Sequence, residues 1–286
     1  MGWSSERLPL WSIHLMLLGS ILGYAVFVRA FTLNQPFDRD AEGLGSFNGI
    51  LARNYFRHSI ADTWLVPVQS MGVSDKARPT FYPNHPPLVP LFIAGSYWVF
   101  NGEAGSEDWV PPEWQTRLPT ALFTLGCVIL IYAMVNRRAG PRAAAVAAAL
   151  FAGVPMTIYY GGAADAVNSQ LVFFALLTIA AYLRFYDEPS GKSFALLCAA
   201  FVPGGLTDWP AYYLIVILFL HFAFTRPPPR EWAWIIAFGL FGACLFLAVY
   251  VQVAFVIDDW QWMARPFLHR SLGSQNDGGD AVTFGQ

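Results

Sequence analysis

The stretch Pro86-Pro87-Leu88-Val89-Pro90-Leu91-Phe92-Ile93-Ala94-Gly95-Ser96-Tyr97-Trp98-Val99-Phe100 decides how this chain is arranged. It is apolar enough to enter a bilayer but has only 15 residues, where a crossing helix needs about 20. Its prolines also remove backbone donors that lipid cannot replace. The stretch therefore reads as interfacial or re-entrant, not spanning. Around it, seven other apolar stretches qualify as spans, at roughly 8–28, 117–136, 142–160, 166–186, 193–207, 209–225 and 231–257. The first reads as a retained anchor, because Val28-Arg29-Ala30 offers no convincing small-x-small cleavage site. The fifth is short and holds Pro203-Gly204-Gly205, so it should break near its exit.

Charge tests the choice made at 86–100. With that stretch left out, Arg7, Arg137, Arg138, Arg142, Arg184, Lys192, Arg226 and Arg230 fall on one side of the membrane, with Glu6, Asp187, Glu188 and Glu231 as the acids there. Counting it as a span would move Arg137, Arg138 and Arg142 to the other side. The positive-inside rule selects the seven-span arrangement, with a cytoplasmic N-terminus and an outer C-terminus. Aromatic residues agree: Tyr159-Tyr160, Trp209 and Trp260 fall near outer ends, and Tyr182, Tyr186, Trp232 and Trp234 near inner ends.

The fold class expected is all-α: a polytopic membrane protein whose residues 1–286 form one membrane-embedded module. After the first span, 29–116 make a long extracytoplasmic loop, far beyond ordinary connection lengths and therefore functional. Within it, 41–58 reads as an amphipathic interfacial helix, with Leu44, Phe47, Ile50, Leu51, Tyr55 and Phe56 at helical spacing and Arg53, Arg57 and His58 elsewhere. Six further spans occupy 117–257, and 258–286 form an outer Gly/Asp-rich tail.

Composition agrees. The 286 residues are 56% hydrophobic and 13% charged, with mean hydropathy +0.43; a soluble chain is closer to a quarter charged. A soluble cytosolic enzyme, a disordered tail and a collagen-like fibre are excluded. A net charge of −2 gives no basic excess for nucleic acid. Cys127, Cys198 and Cys244 sit inside apolar runs, where a thiol acts as a small hydrophobe, so neither a disulfide framework nor a zinc site is expected.

Ionisable residues collect at the outer ends of the spans. Phe37-Asp38-Arg39-Asp40-Ala41-Glu42-Gly43 places three carboxylates on alternate positions, facing one way if the segment is extended. Such a set can hold a divalent cation or supply a general base; a solvated charged loop is the plainer reading. His85, in Tyr82-Pro83-Asn84-His85-Pro86, sits on a proline-stiffened lip where it can contact a phosphate or act as acid or base, or simply face solvent. Arg117 opens the second span against both the helix dipole and the charge bias, which calls for an anionic partner unless it snorkels to head groups. Asp165 and Asp208 precede spans, where capping is their ordinary explanation, and Asp258-Asp259 end the last one. The informative feature is the shared side, which describes one polar pocket at one membrane face. A transporter should instead carry mid-bilayer ionisable residues and inverted repeats, and neither is apparent.

At these residues the chain resembles the GT-C superfamily of membrane glycosyltransferases, within it the branch of protein O-mannosyltransferases, aminoarabinose transferases and RgtA/B/C/D-like domains. The motifs run in order: Asp40 and Glu42 after the first span, Ala52-Arg53-Asn54-Tyr55, His85-Pro86-Pro87-Leu88, Arg117-Leu118-Pro119, then Asp165. The resemblance implies transfer of a sugar from a polyprenyl-phosphate donor to a hydroxyl of a glycan, lipid or protein acceptor, on the extracytoplasmic face and with inversion. It implies Asp40 as base, with Glu42 next, and His85 and Arg117 against the donor phosphate. It implies Asp165 as a second carboxylate that orients the acceptor or, with Asp40, holds a divalent metal ion. The family's paired Asp-Glu is here Asp40-Ala41-Glu42, which leaves the choice of base open, and Asp208 stands where some relatives carry Lys. Relatives continue through several more helices, so this chain is expected to be a fragment or to work with a second membrane subunit. Two other readings stay open: a transporter or lipid-handling protein, and an inactive truncated module acting as assembly partner.

Overall fold

A computed structural model of the chain describes residues 10–37, 43–58, 60–70, 79–101, 110–162, 166–225 and 232–263. Among them the architecture is all-α: α1 (Leu10–Leu33), α2 (Gly43–Arg57), α3 (Ile60–Thr63), α4 (Leu88–Asn101), α5 (Glu113–Gly153), α6 (Pro155–Gly162), α7 (Ala166–Asp187), α8 (Gly191–Gly205), α9 (Tyr213–Thr225) and α10 (Trp232–Ile257). A 3₁₀ turn, Trp209–Tyr212, leads into α9, and β structure among the described residues is limited to one bridge between Val68 and Phe81.

Among the described residues four helices contain stretches long and apolar enough to cross a bilayer: His14–Leu33 in α1, Glu113–Gly153 (α5), Ser169–Asp187 in α7 and Trp232–Ile257 (α10). Large apolar side chains such as Leu15, Phe27, Leu122, Leu240 and Phe255 face outward, as they do when the surrounding solvent is lipid. The cysteines are free thiols.

α5 joins what reads in the sequence as two spans. It has 41 residues, but Gly140 at φ 82° and ψ 173° interrupts its helical geometry. A straight helix would separate Thr124 from Phe151 by about 40 Å, yet both line one small cavity, and Val128 shares a core cluster with Ala148. The chain therefore reverses at Gly140. Only glycine takes that positive φ without strain, and Pro141 suits the first position of the returning arm. The returning arm presents Ala144, Ala148 and Ala152, all fully buried at four-residue spacing, to Ala25, Val128 and Tyr132. Small residues at that spacing let helix backbones approach closely.

α7, α8, α9 and α10 share a second core built from Tyr182, Phe185, Phe201, Phe222 and Phe238. α8 ends at Gly205, directly after Pro203-Gly204, where the sequence calls for a break. Between α5 and α7 the approach is tight: a Cβ on Gly126 would lie 2.6 Å from the Phe173 ring. Gly126→Leu is expected to cost about 1–3 kcal/mol through overpacking, seen as a lower midpoint for unfolding in detergent; an unchanged midpoint would contradict this packing.

The decisive stretch forms α4, whose 14 residues span only about 21 Å. Val89, Ile93, Ala94 and Tyr97 pack against Ala52, Tyr55 and Phe56 of α2. α2 itself corresponds to the amphipathic stretch read at 41–58. Together α2, α4 and the start of α5 form the shelf on which the candidate site is built.

Candidate functional site

Arg117 anchors one side of the shelf. It is wholly buried in the second turn of α5, and its guanidinium donates to the carbonyls of Leu33 (3.2 Å), Gln35 and Pro36 (3.4 Å). It also lies 4.3 Å above the Phe37 ring. The last carbonyls of a helix carry partial negative charge and lack intrahelical partners. Arg117 thus acts as a remote cap on α1 and fixes the five residues that lead into Asp38. The anionic partner that the sequence calls for is not decided by these contacts, because the acidic stretch 38–42 lies outside the described residues.

His85 lies on a second wall. Its Nδ1 is 2.9 Å from Asp208 Oδ1, with His85 partly exposed and Asp208 nearly buried. Asp208 also accepts from Trp209 N (2.8 Å), capping the 3₁₀ turn as its position before a span suggested. Trp209 Nε1 donates to Asn84 O (2.6 Å), and Leu88 N donates to Leu206 O (3.1 Å), so the segment carrying His85 is fastened to the corner after α8. Tyr82 lies between Phe47 of α2, which it meets edge to face at 4.7 Å, and the tilted His85 ring at 5.9 Å, and burial raises its pKa. A carboxylate on Nδ1 fixes the tautomer and leaves Nε2 as the ring atom for other partners.

The pairing yields a separable prediction. Asp208→Asn keeps a competent cap but loses the charge facing His85. A thermal double-mutant cycle with His85→Gln should give a coupling of about 1 kcal/mol; zero coupling would contradict the contact.

Between α2, α4 and the start of α5 lies a cavity of about 180 Å³ whose walls include Phe37, Ser46, Arg53, Tyr97, Glu113 and Thr116. Tyr97 Oη and Thr116 Oγ1 share a 2.6 Å hydrogen bond, and a Cβ on Gly49 would come within 3.1 Å of that phenol oxygen. Arg53 brings a cation to the wall; burial, then Arg57 one turn on, lowers its pKa. The sequence reading placed Arg53 on the polar face of an interfacial helix. The signal for a site was the four-residue spacing of Gly49, Arg53 and Arg57, which puts an open position and two cations on one helix face.

The expected carboxylates Asp40, Glu42 and Asp165, with neighbouring Asp38, lie outside the described residues. The structure fixes their flanks. Phe37, bonded directly to Asp38, lines the cavity, and Gly43 begins α2. Asp165 falls in the three-residue connection between α6 and α7. Asp258 has a positive φ of 53° and follows α10. Among the described residues no group of three His, Cys, Asp or Glu side chains is placed to hold a metal ion, so a cation site through Asp40 and Asp165 stays an expectation.

Residues 84–258 match the model of the family described as dolichyl-phosphate-mannose-protein mannosyltransferase. Over 111 residues, 38% of this chain, the sequence is 36% identical to a Bacillus subtilis (strain 168) protein named "Putative mannosyltransferase YkcB". The match spans about 15% of that relative's length.

Proposed function

Because the chain belongs to the dolichyl-phosphate-mannose-protein mannosyltransferase family, we propose that it is an integral-membrane glycosyltransferase taking its sugar from a polyprenyl-phosphate donor. In this reading the whole chain is one module with seven crossings. The two arms of α5 count as two crossings, α4 lies in the interface, and the N-terminus is cytoplasmic. Residues 29–116 and the site then face away from the cytosol.

The observation that carries the reading is the Arg117 clamp. It holds Leu33–Phe37 so that the chain enters its acidic stretch from the wall of a cavity. Asp40, with Glu42 as alternative, takes the proton from an acceptor hydroxyl as its oxygen attacks the sugar carbon. The bond to the lipid phosphate breaks on the opposite side, which inverts the centre. His85, braced by Asp208, offsets charge on the departing phosphate, and Arg117 adds positive potential from behind Phe37. Asp165 orients the acceptor hydroxyl; with Asp40 it would be the residue to hold a divalent ion, which would supply Lewis acidity there.

The test is sugar transfer in membranes from a radiolabelled polyprenyl-phosphate sugar. His85→Ala is expected to lower the rate by roughly 10–100-fold while the chain stays membrane-inserted, since it removes one electrostatic partner of the leaving group. A substrate flux that depends on His85 and yields no glycosyl product would instead favour a transporter or lipid-handling protein.

A further inference from the structure

We propose that the cavity carrying Arg53 and Glu113 binds the zwitterionic head of a membrane phospholipid, with the phosphate on Arg53 and a primary ammonium on Glu113. This goes beyond the transferase reading and does not depend on it. Arg53 stands on α2 and Glu113 in the first turn of α5, and both line the cavity of about 180 Å³ between α2, α4 and α5. Both are half-buried, and they do not pair with each other. The ion pairs among the described residues are His85–Asp208 and those of Arg137 and Arg138 with Asp187. Arg53 Nε is buried without a hydrogen-bond partner among those residues. The hydroxyls on the same walls are already engaged, Tyr97 with Thr116 (2.6 Å) and Ser46 with Gly43 O (2.9 Å). The groups left over are one cation and one anion.

The surroundings set the depth. α4 ends in Trp98, Val99 and Phe100, exposed at 67%, 67% and 51%, and Val110, which lines the cavity, is 75% exposed. Phe100 meets Trp114, the neighbour of Glu113, edge to face at 4.8 Å. Asn101 Nδ2 donates to Gln115 Oε1 (2.6 Å), which fastens this end of α4 to the start of α5. Exposed aromatic side chains grouped in this way mark the boundary between hydrocarbon and head groups. The cavity rim therefore stands where phospholipid heads are.

Charge balance selects the occupant. A neutral ligand would cover the guanidinium and the carboxylate without compensating either, and a simple anion would leave Glu113 uncompensated. A zwitterion answers both. Its phosphate accepts from the planar guanidinium, and its ammonium donates to the carboxylate. Phe37, Ile50 and Tyr97 give apolar walls for the short linker between the two charges, while the acyl tails stay in lipid beside Val110 and Phe100.

The test uses the full chain in a neutral maltoside detergent, titrated with dioctanoyl phosphatidylethanolamine and read by native mass spectrometry, so sugar transfer does not enter the measurement. Saturable binding is expected, at least about tenfold tighter than that of dioctanoyl phosphatidylglycerol, which has the phosphate and lacks the ammonium. Glu113→Gln should erase that preference, and Arg53→Gln should weaken the ethanolamine lipid at least about tenfold. Ser46→Trp fills the cavity, keeps both charges and should weaken it as far. Competition by soluble glycerophosphoethanolamine assigns the contacts to the head group alone, and its failure to compete assigns the site to the intact phospholipid; either supports the proposal. Equal binding of the two lipids by the unaltered chain overturns it, as does a preference that survives Glu113→Gln. Undiminished binding by folded Arg53→Gln, or by Ser46→Trp should Arg53→Gln not fold, overturns it as well.

Discussion

Asp40→Asn is expected to lower sugar transfer by roughly 10²–10⁴-fold, the usual worth of a positioned general base, with little change in the amount of protein in the membrane. The amide keeps the size and cannot take the proton. Glu42→Gln run alongside resolves which carboxylate is the base, since the larger loss marks it. Asp165→Asn should raise the acceptor requirement more than it lowers the saturated rate if that residue orients the acceptor. Unchanged transfer in both Asp40→Asn and Glu42→Gln would remove the proposed chemistry from this loop.

Arg117→Ala should have the largest effect on the fold itself. It leaves the carbonyls of Leu33, Gln35 and Pro36 without the guanidinium that now serves them. Arg117 is wholly buried and its bonds to these half-buried and exposed carbonyls are made by a charged donor; one such bond is worth about 1.5–3 kcal/mol, so a total near 3 kcal/mol is expected, read as a shifted midpoint in denaturing-detergent titration. Arg117→Lys should recover only part, because a point ammonium cannot reach three carbonyls and also cover the Phe37 ring. Transfer activity should fall with stability in both variants. A loss below about 1 kcal/mol would mean that the α1 cap is not structural.

What the sequence revealed and what it concealed divide along the range of the interactions. The brevity and prolines of 86–100 are local properties, and α4 is short for that reason. The periodicity behind α2 and the Pro203-Gly204-Gly205 break after α8 are also local. Gly140-Pro141 reads as a loop between two spans, and in the structure it is a tight reversal at the positive φ of Gly140. Tertiary partners were not legible. Arg117 meets carbonyls about 80 residues earlier in the chain, and carbonyls carry no sequence signature. His85 and Asp208 were weighed as separate residues because 123 positions separate them. Arg53 read as part of a polar helix face, and only the placement of α4 and α5 encloses it. Arg29 read as the end of a span, and in the structure it is buried with a hydrogen bond to Thr157 O of α6.

In the proposed arrangement the carboxylates of the first loop and of the α6–α7 connection share one side of the membrane with His85 and Arg117. Impermeant maleimide labelling of intact cells tests it most directly, using Asp40→Cys and Asp165→Cys in a chain lacking Cys127, Cys198 and Cys244. Labelling of both positions from outside is predicted, with Arg138→Cys reached only after the membrane is opened. Labelling of positions 40 and 165 from opposite sides would contradict the account.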